Sequence, residues 1–282
     1  MGRLRNILFV VNLTKSGAEE LATELSAVAE QAGARTEVIS TFPVSEKLME
    51  GRDFCVVVGG DGTLLGVVDA ASRFGVPVMG VNLGRLGFMA SFSPSTIRGQ
   101  FNEVLEGNYT WRDLTVLHCS AACGSESLAL NDIVVKARSS RLIRLEVHCE
   151  EEHMNTYHAD GVIFSTPTGS TAYNLSAGGP IVHPSAKVMV TTPINPHTLS
   201  NRAIVLDDSH KLAVHLQGDA RDVQVSADGR EIFQGVPRFP LQISIFPDRV
   251  FRLVQPGDYS HYYVLRNKLR WTGDAVFSHH HG

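Results

Sequence analysis

An acidic residue stands among glycines where a buried strand is expected to end, in the stretch CVVVGGDGTLLG (residues 55–66). Glycine lets a ligand come close to the backbone because it has no Cβ, and it tolerates positive φ. The N–H groups that open a following helix then face an anion. In open α/β sheets, ligands bind at such carboxyl ends of strands. Gly59, Gly60, Gly62 and Thr63 therefore predict a phosphate-binding turn.

Asp61 needs a task of its own in such a turn, because its charge would repel phosphate. We expect it to hold a magnesium ion or to take the proton from an attacking hydroxyl. The turn has the form of neither a Walker loop nor the G-x-G-x-x-G dinucleotide fingerprint. The alternative is a tight strand-to-helix turn capped by aspartate, although a plain turn rarely needs three glycines.

A second stretch, STPTGSTAYNLSAGGP (residues 165–180), is rich in small polar residues. Nine of its residues are Ser, Thr or Gly, Tyr173 is its one aromatic residue, and it carries no charge. Exposed hydroxyls and amides suit a flat polar ligand, with Tyr173 available for stacking or a hydroxyl contact. A surface loop is the alternative, although loops usually carry charge.

The elements that position these residues change character along the chain. Apolar runs over 6–12, 35–40, 53–58 and 76–82 alternate with helical patterns, including one over 63–74, which predicts an α/β domain with a parallel sheet. From Trp111 onward short strands separated by turns predict an all-β domain, with separate strands over 241–247 and 250–254 and none over 151–160. A loop with a short helix interrupts it over 169–179, and residues 262–271 again favour a helix.

Composition narrows the function classes. The chain has 282 residues and a formal net charge of −4, which gives no basic field for nucleic acid, and no apolar run reaches membrane-spanning length. The N-terminus lacks the features of a signal peptide, so we expect a cytoplasmic protein with reduced thiols. Cys119 and Cys123 with nearby histidines leave a zinc site as an alternative, although their spacing is not a standard zinc pattern. The tail SHHHG is set apart from the fold.

Five segments in fixed order resemble the NAD kinase family. They are GGDGTLL, GVNLGRLGFM (80–89), ALNDIVV (129–135), DGVIFSTPTGSTAYNLSAGGPIV (160–182) and TPINPHTLSNRAIVL (192–206). GGDGT alone also occurs in lipid kinase-like and phosphofructokinase-like enzymes, whereas TPTGSTAYNLSAGGPI is typical of this family. The resemblance covers about residues 6–270.

The resemblance implies a fold and an activity. The fold is α/β plus all-β: a Rossmann-like domain over 1–108 plus about 258–275, a β-rich β-sandwich domain over 109–257 for NAD binding and oligomerisation, and a tail over 276–282. The activity is transfer of the γ-phosphoryl of ATP, carried with Mg²⁺ or another divalent cation, to the adenosine 2′-hydroxyl of NAD. Homodimers or homotetramers are implied, and the sequence leaves polyphosphate open as a donor.

The resemblance also assigns residues. Asp61 is expected to be the general base and, with Gly62, to contact NAD. The glycine turn is expected to cradle phosphates, without a metal site made by protein ligands alone. The remaining NAD-binding residues implied by the resemblance are Asn131, Asp132, Asp160, Thr171, Ala172, Tyr173 and Ser176.

One position departs from the family pattern, which has Asn-Glu where this chain has Asn131-Asp132. Aspartate keeps the charge but is one methylene shorter, so it would reach a ribose hydroxyl through water or after a small backbone shift. A turn pair before a strand is the alternative for these two residues. Two other functions stay open, a lipid kinase and a non-catalytic NAD sensor. The polar stretch and net charge disfavour the first, and the intact glycine turn disfavours the second.

Overall fold

A computed structural model describes residues 2–84, 87–233 and 235–271 of the chain. The strands are β1 (Asn6–Val11), β2 (Arg35–Ile39), β3 (Phe54–Val58), β4 (Val78–Val81), β5 (Thr110–Ala121), β6 (Glu126–Ala129), β7 (Asp132–Ala137), β8 (Ile143–Cys149), β9 (Glu152–Ala159), β10 (Gly161–Ser165), β11 (Val188–Ile194), β12 (Ile204–Asp207), β13 (Lys211–Gln217), β14 (Val223–Ala227), β15 (Arg230–Glu231) and β16 (Leu241–Gln255).

The described residues form fewer helices than strands. The α-helices are α1 (Ala18–Gln31), α2 (Glu46–Met49), α3 (Asp61–Leu65), α4 (Val68–Phe74), α5 (Pro94–Leu105), α6 (Tyr173–Ser176) and α7 (His261–Leu269), and 3-10 helices span Thr168–Thr171 and Ala220–Asp222. By internal contacts the chain divides into two compact units. Of the described residues, the first unit contains those within 2–67, 76–112 and 253–271, and the second contains those within 68–75 and 113–252.

The first unit is built on a parallel sheet in the order β2-β1-β3-β4, with the last residues of β16 beside β4. Strands β1, β3 and β4 are buried on both faces, as their continuous apolar runs predict, whereas the edge strand β2 has no fully buried residue. Helices α1 and α5 bring Leu21, Leu25, Ile97 and Phe101 into the core of this unit. Ser93 caps α5 by accepting the N–H of Thr96. The parallel sheet with α1 and α5 packed in its core confirms the predicted α/β architecture.

The second unit is a sandwich of two antiparallel sheets. One has six strands in the order β12-β11-β10-β7-β14-β15, and the other contains β16, β13, β8 and β9, with β5 beside β16 and β6 beside β5. Both sheets contribute buried side chains to one core, for example Val135 and Phe164 from the first and Leu145 and Val214 from the second. The β-sandwich that the resemblance implies is therefore confirmed.

The prediction of one helix over residues 63–74 is wrong, because the chain forms α3 and α4 instead. The N–H of Gly66 donates to the Thr63 carbonyl at 3.0 Å, and that of Val67 donates to the Leu64 carbonyl at 3.1 Å. These three-residue spacings tighten and end the first helix at a glycine, which has low helix propensity. Only one turn of helix therefore follows the glycine-rich segment.

Two strand predictions also need correction. Residues 241–255 form the single strand β16, where the sequence predicts two strands with a turn at the proline. Strand β9 is missing from the predicted strands because its residues are mostly polar and only Tyr157 and Ala159 are fully buried. The predicted helix over 262–271 is confirmed as α7. No helix in the described ranges is long and apolar enough to cross a membrane.

Candidate active site

The glycine-rich turn lies where β3 ends, as predicted. The Gly59 N–H donates to the Val81 carbonyl of the neighbouring strand at 2.9 Å. A Cβ on Gly59 would lie 2.5 Å from Thr63 Oγ1, so a side chain there would displace the threonine. That hydroxyl accepts the Asn12 amide at 2.9 Å, which fixes its position. The first glycine is therefore required by packing within the turn.

The other two glycines leave space. A Cβ on Gly60 or Gly62 would meet nothing within 4 Å. The expected positive φ is not used here: Gly60 has φ −97° and ψ −176°, and none of the three glycines has positive φ. Helix α3, which follows, has only five residues. Open backbone at Gly60 and Gly62, rather than an unusual conformation, is what this turn offers a ligand.

Asp61, the first residue of α3, has a carboxylate that accepts three backbone N–H groups. Oδ2 accepts from Phe88 at 2.9 Å, and Oδ1 accepts from Met89 at 3.2 Å and from Ala90 at 2.8 Å. A Cβ on Gly87 would overlap this carboxylate, so glycine is needed there as well. Residues 87–89 belong to the GVNLGRLGFM motif and Ala90 follows it, whereas Arg85 and Leu86 of the motif lie outside the described residues. The motif thus holds Asp61 in one orientation.

Leu130 and Asn131 link β6 to β7, and Asp132 is the first residue of β7. A carboxylate binds the backbone of this junction, which we call the Asn131-Asp132 turn. Asp228 accepts the N–H of Asn131 at 2.7 Å, of Leu130 at 2.9 Å and of Asp132 at 3.3 Å. Asp228 and Gly229 have φ of 49° and 77° and link β14 to β15, as in a two-residue hairpin turn. Sequence analysis did not find Asp228, although its Asp-Gly pair is a turn signal.

The carbonyl groups of the same turn are bound by a different part of the chain, the polar stretch over 165–180. The Thr166 N–H donates to the Asn131 carbonyl at 2.9 Å, and the Thr166 hydroxyl donates to the Leu130 carbonyl at 2.5 Å. A Cβ on Gly169 would overlap the Asn131 carbonyl. The polar stretch over 165–180 therefore packs directly against the Asn131-Asp132 turn, which explains why both motifs occur together.

Asp132 is an unusual carboxylic acid because it is buried, with 5% of its surface exposed. Burial, and after it the neighbouring Asp228 carboxylate, raise the pKa of Asp132 to about 7. Burial also raises the pKa of Asp228, and its backbone hydrogen bonds oppose that change. Near neutral pH the Asp132 carboxyl therefore exchanges between an acceptor and a donor form.

The remaining predicted NAD-binding residues also lie in the second unit. Thr171 and Ala172 are half-buried at the junction of the 3-10 helix and α6, and Tyr173 and Ser176 are exposed on α6, with 40% of Tyr173 accessible. Asp160 is half-buried after β9 and accepts the Asn195 amide at 2.9 Å. The predicted residues thus fall into two sets, residues 59–63 in the first unit and the others in the second.

Several hydroxyls of the polar stretch are not available to a ligand, contrary to the expectation. Ser165, Thr166 and Ser170 have no exposed surface. The Ser170 hydroxyl donates to the Pro167 carbonyl at 2.6 Å and accepts the Val182 N–H at 3.0 Å. These groups fold the loop, because buried hydroxyls need hydrogen-bond partners.

Asn174 is a buried residue of this loop that sequence analysis missed. Its amide donates to the carbonyls of Ser170 and Pro180, each at 3.0 Å, and its oxygen accepts the Thr192 hydroxyl at 2.7 Å. A Cβ on Gly179 would overlap this side chain. Asn174 therefore joins both ends of the loop to β11 and fixes the backbone that presents Tyr173.

The metal hypotheses find no ligand set among the residues described. Within 2–84, 87–233 and 235–271 no group of three or more His, Cys, Asp or Glu is placed to hold a metal ion. Cys119 is buried, and burial raises the pKa of its thiol to about 12, whereas Cys123 is exposed. Both Asp61 carboxyl oxygens already accept backbone N–H groups.

Comparisons with known proteins agree along the chain. Models of the ATP-NAD kinase N-terminal and C-terminal domains match residues 44–109 and 130–242. An NAD kinase from Hydrogenovibrio crunogenus is 40% identical over 80% of this chain and 79% of its own length. One from Pseudomonas syringae pv. syringae is 36% identical over 96% and 94%.

Solved structures show the same fold. A yeast NADH kinase complexed with NADH has a TM-score of 0.85 at 23% identity and covers 99% of this chain and 91% of its own. An Archaeoglobus fulgidus NAD kinase in complex with ATP has a TM-score of 0.76 at 25% identity, covering 96% and 100%. With two domain models and relatives at 40% identity, the chain belongs to the ATP-NAD kinase family.

Proposed function

We propose that the protein transfers the γ-phosphoryl of ATP to the adenosine 2′-hydroxyl of NAD, giving NADP, with Asp61 as general base. The observation that carries this proposal is the Asp61 carboxylate, which three backbone amides orient beside open glycines. Family membership supports the reaction class, since curated relatives are NAD kinases. Phosphoryl transfer asks mainly for positioning and charge stabilisation, which such a rigid carboxylate supplies.

The hydrogen bonds leave Asp61 one acceptor position for substrate. A carboxylate has about four lone-pair sites, and three are used, two on Oδ1 and one on Oδ2. The remaining site on Oδ2 suits a hydroxyl donor. Asp61 therefore orients the 2′-hydroxyl and accepts its proton as the bond to phosphorus forms.

The glycine turn is the proposed phosphate cradle. Gly60 and Gly62 leave their backbone open, and Gly59 with Thr63 fixes the shape of the turn. ATP would carry Mg²⁺ or another divalent cation on its phosphates, where the ion neutralises charge that develops on the transferred group. Asp61 is assigned to the hydroxyl rather than to the ion in this proposal.

NAD is proposed to bind the second set of residues. Asn131 and Asp132 would contact ribose and phosphate groups, and Asp160, Thr171, Ala172, Tyr173 and Ser176 would line the site. The resemblance to the family also assigns Asp61 and Gly62 to NAD binding. Support comes from the exposure of Tyr173 and Ser176 and from the fixed turn at Asn131. The shorter Asp132, with a pKa of about 7, accepts from a ribose hydroxyl in its ionised form.

The family also suggests properties beyond the site. We propose a cytoplasmic homodimer or homotetramer assembled through the β-rich domain, with functional domains at 1–108 plus about 258–275 and at 109–257. Polyphosphate stays an alternative donor. The experiments below address the reaction itself.

The direct test is incubation of the protein with ATP, Mg²⁺ and NAD, followed by an NADP-specific dehydrogenase assay. We expect NADP only when all three are present, and the same reaction with polyphosphate or NADH resolves the donor and acceptor. A parallel incubation with diacylglycerol tests the lipid kinase alternative. Absence of NADP from a folded, NAD-binding protein would favour the sensor, and phosphorylated lipid without NADP would favour the lipid kinase.

A further inference from the structure

Asp228 lies outside the residues that the family resemblance assigns, yet it binds the backbone of the segment that carries two of them. Its carboxylate accepts the N–H groups of Leu130, Asn131 and Asp132. We propose that Asp228 is a positioning residue that fixes the Asn131-Asp132 turn in the conformation that receives the ribose of NAD. This inference rests on the proposed function and extends it to a residue 97 positions away in sequence.

The hairpin alone does not require this carboxylate. A two-residue turn with positive φ at both positions accepts Asn, Asp or Gly at its first position. Strand pairing between β7 and β14 ends at Ile133 and Ala227, so the N–H groups of residues 130–132 lie beyond that ladder. The Asp228 N–H donates to the Asp132 carbonyl at 3.0 Å, and the Asp228 carboxylate accepts the three N–H groups. Hydrogen bonds to a charged group are the stronger kind.

The carbonyls of Leu130 and Asn131 have partners other than Asp228, so only the N–H groups of the turn depend on its carboxylate. Thr166 and Gly169 bind or contact the carbonyls of Leu130 and Asn131. Without Asp228, three N–H groups lose their acceptor while the carbonyls stay bound, so the peptide planes are free to rotate about a half-fixed segment. The side chains of Asn131 and Asp132 would then lose their common orientation.

Asp228 also affects Asp132 through charge. Its carboxylate is the second cause, after burial, of the raised pKa of Asp132. Arg230, two residues along the same hairpin, opposes the charge of Asp228. Asp228 thus acts on Asp132 and on the backbone beside it, so we assign it a positioning role rather than a catalytic one.

The test is Asp228→Asn, which keeps the size and tolerates positive φ but turns an amide N–H₂ toward backbone donors. We expect KM and the calorimetric Kd for NAD to rise about tenfold or more, as for loss of hydrogen bonds to a charged group. KM for ATP should stay within about twofold. Should Asp228→Asn not fold, Asp228→Gly keeps the turn and removes only the carboxylate.

The matched control is Asp53→Asn in the first unit. Asp53 also accepts two distant backbone N–H groups, those of Arg5 at 2.8 Å and Asn6 at 2.9 Å, but it lies outside both sets of site residues. We expect this variant to lower Tm without changing KM for NAD. A rise in KM for NAD equal to that of Asp228→Asn would show a general loss of folding and overturn the proposal.

A double-mutant cycle with Asp132→Ala separates positioning from an independent role. If Asp228 acts through the turn, the double variant should lose much less NAD affinity than the sum of the losses in Asp228→Asn and Asp132→Ala, because both changes remove the same interaction with NAD. Additive effects, or an unchanged Kd for NAD in a wild-type-like Asp228→Asn protein, would contradict the proposal. Wild-type protein that binds NAD but makes no NADP would instead refute the proposed function and leave the binding measurement valid.

Discussion

The two units use the same device, an aspartate whose carboxylate accepts three backbone N–H groups from a distant segment. In the first unit Asp61 accepts from Phe88, Met89 and Ala90, and in the second Asp228 accepts from residues 130–132. The two aspartates differ in which partner is proposed to meet the substrate, the carboxylate itself or the segment that it binds. Asp61 is itself the proposed reactive group, whereas Asp228 holds a segment whose side chains are proposed to bind NAD.

This difference predicts different kinetic consequences. Fixing the reactive carboxylate reduces the reorganisation needed in the transition state, so its loss should appear in kcat. Fixing a binding segment lowers the cost of ordering it around a ligand, so its loss should appear in the affinity for NAD. Variants on the two sides should therefore separate into kcat and KM effects.

The largest expected effect belongs to Asp61→Asn. Asparagine keeps the shape but accepts no proton at neutral pH, so kcat should fall by about 10²–10⁴-fold. Initial rates of NADP formation at saturating ATP and NAD measure this change, and Tm monitors folding. Retention of most of the wild-type kcat would show that Asp61 is not the base.

Asp132→Ala should have the next largest effect. It removes a charged acceptor from a ribose hydroxyl, worth roughly 1.5–3 kcal/mol, so KM for NAD should rise about tenfold or more while KM for ATP stays near its original value. Asp132→Glu restores the reach that the family usually has and should be tolerated or improve NAD binding. If Asp132 only shapes a turn, Asp132→Ala lowers Tm and leaves KM for NAD unchanged.

The two glycines that precede Asp61 provide a matched pair with a smaller effect. Gly59→Ala would place a Cβ 2.5 Å from Thr63 Oγ1 and should lower Tm, whereas Gly60→Ala meets nothing within 4 Å. If phosphates approach this backbone, Gly60→Ala should raise KM for ATP severalfold at nearly unchanged Tm. Equal KM values for ATP in Gly60→Ala and wild type would place the phosphates elsewhere.

The smallest predicted effect concerns stability and pH. The pKa of Asp132 is raised from 3.8 to about 7 by burial and Asp228, so between these values the folded chain keeps a proton that the unfolded chain has lost. Its contribution to stability therefore falls as pH rises to about 7 and is constant above that. Asp132→Asn stays neutral, so its Tm relative to wild type should be higher at pH 8 than at pH 5 by roughly a few degrees. A pH-independent difference would contradict the assigned titration.

Sequence reasoning predicted the parts of the fold that follow from local patterns. The sequence alone shows the apolar runs of β1 and β3 and the glycines after β3, and the structure has them where they were expected. The end of α3 at Gly66 was not predicted, because the helical spacing of apolar residues in the sequence continues across this glycine. Strand β9 was missed since an edge strand with mostly polar residues has no apolar run to reveal it.

The site was predicted less completely, for a physical reason. The resemblance supplied the residues of both sets, but the hydroxyls of Ser165, Thr166 and Ser170 turned inward because a buried loop must satisfy its own carbonyls. Asp228 and Asn174 act on backbone far away in sequence, and nothing in their local pattern indicates those partners. Long-range polar contacts of this kind appear only when the chain is folded.

Calorimetric titration of NAD into Asp61→Asn and Asp132→Ala tests most directly whether Asp61 reacts and Asp132 binds. We expect the inactive Asp61→Asn protein to bind NAD with nearly the wild-type Kd, whereas Asp132→Ala should bind it about tenfold or more weakly. Loss of NAD binding in Asp61→Asn together with wild-type affinity in Asp132→Ala would contradict the division between a reacting carboxylate and a binding segment.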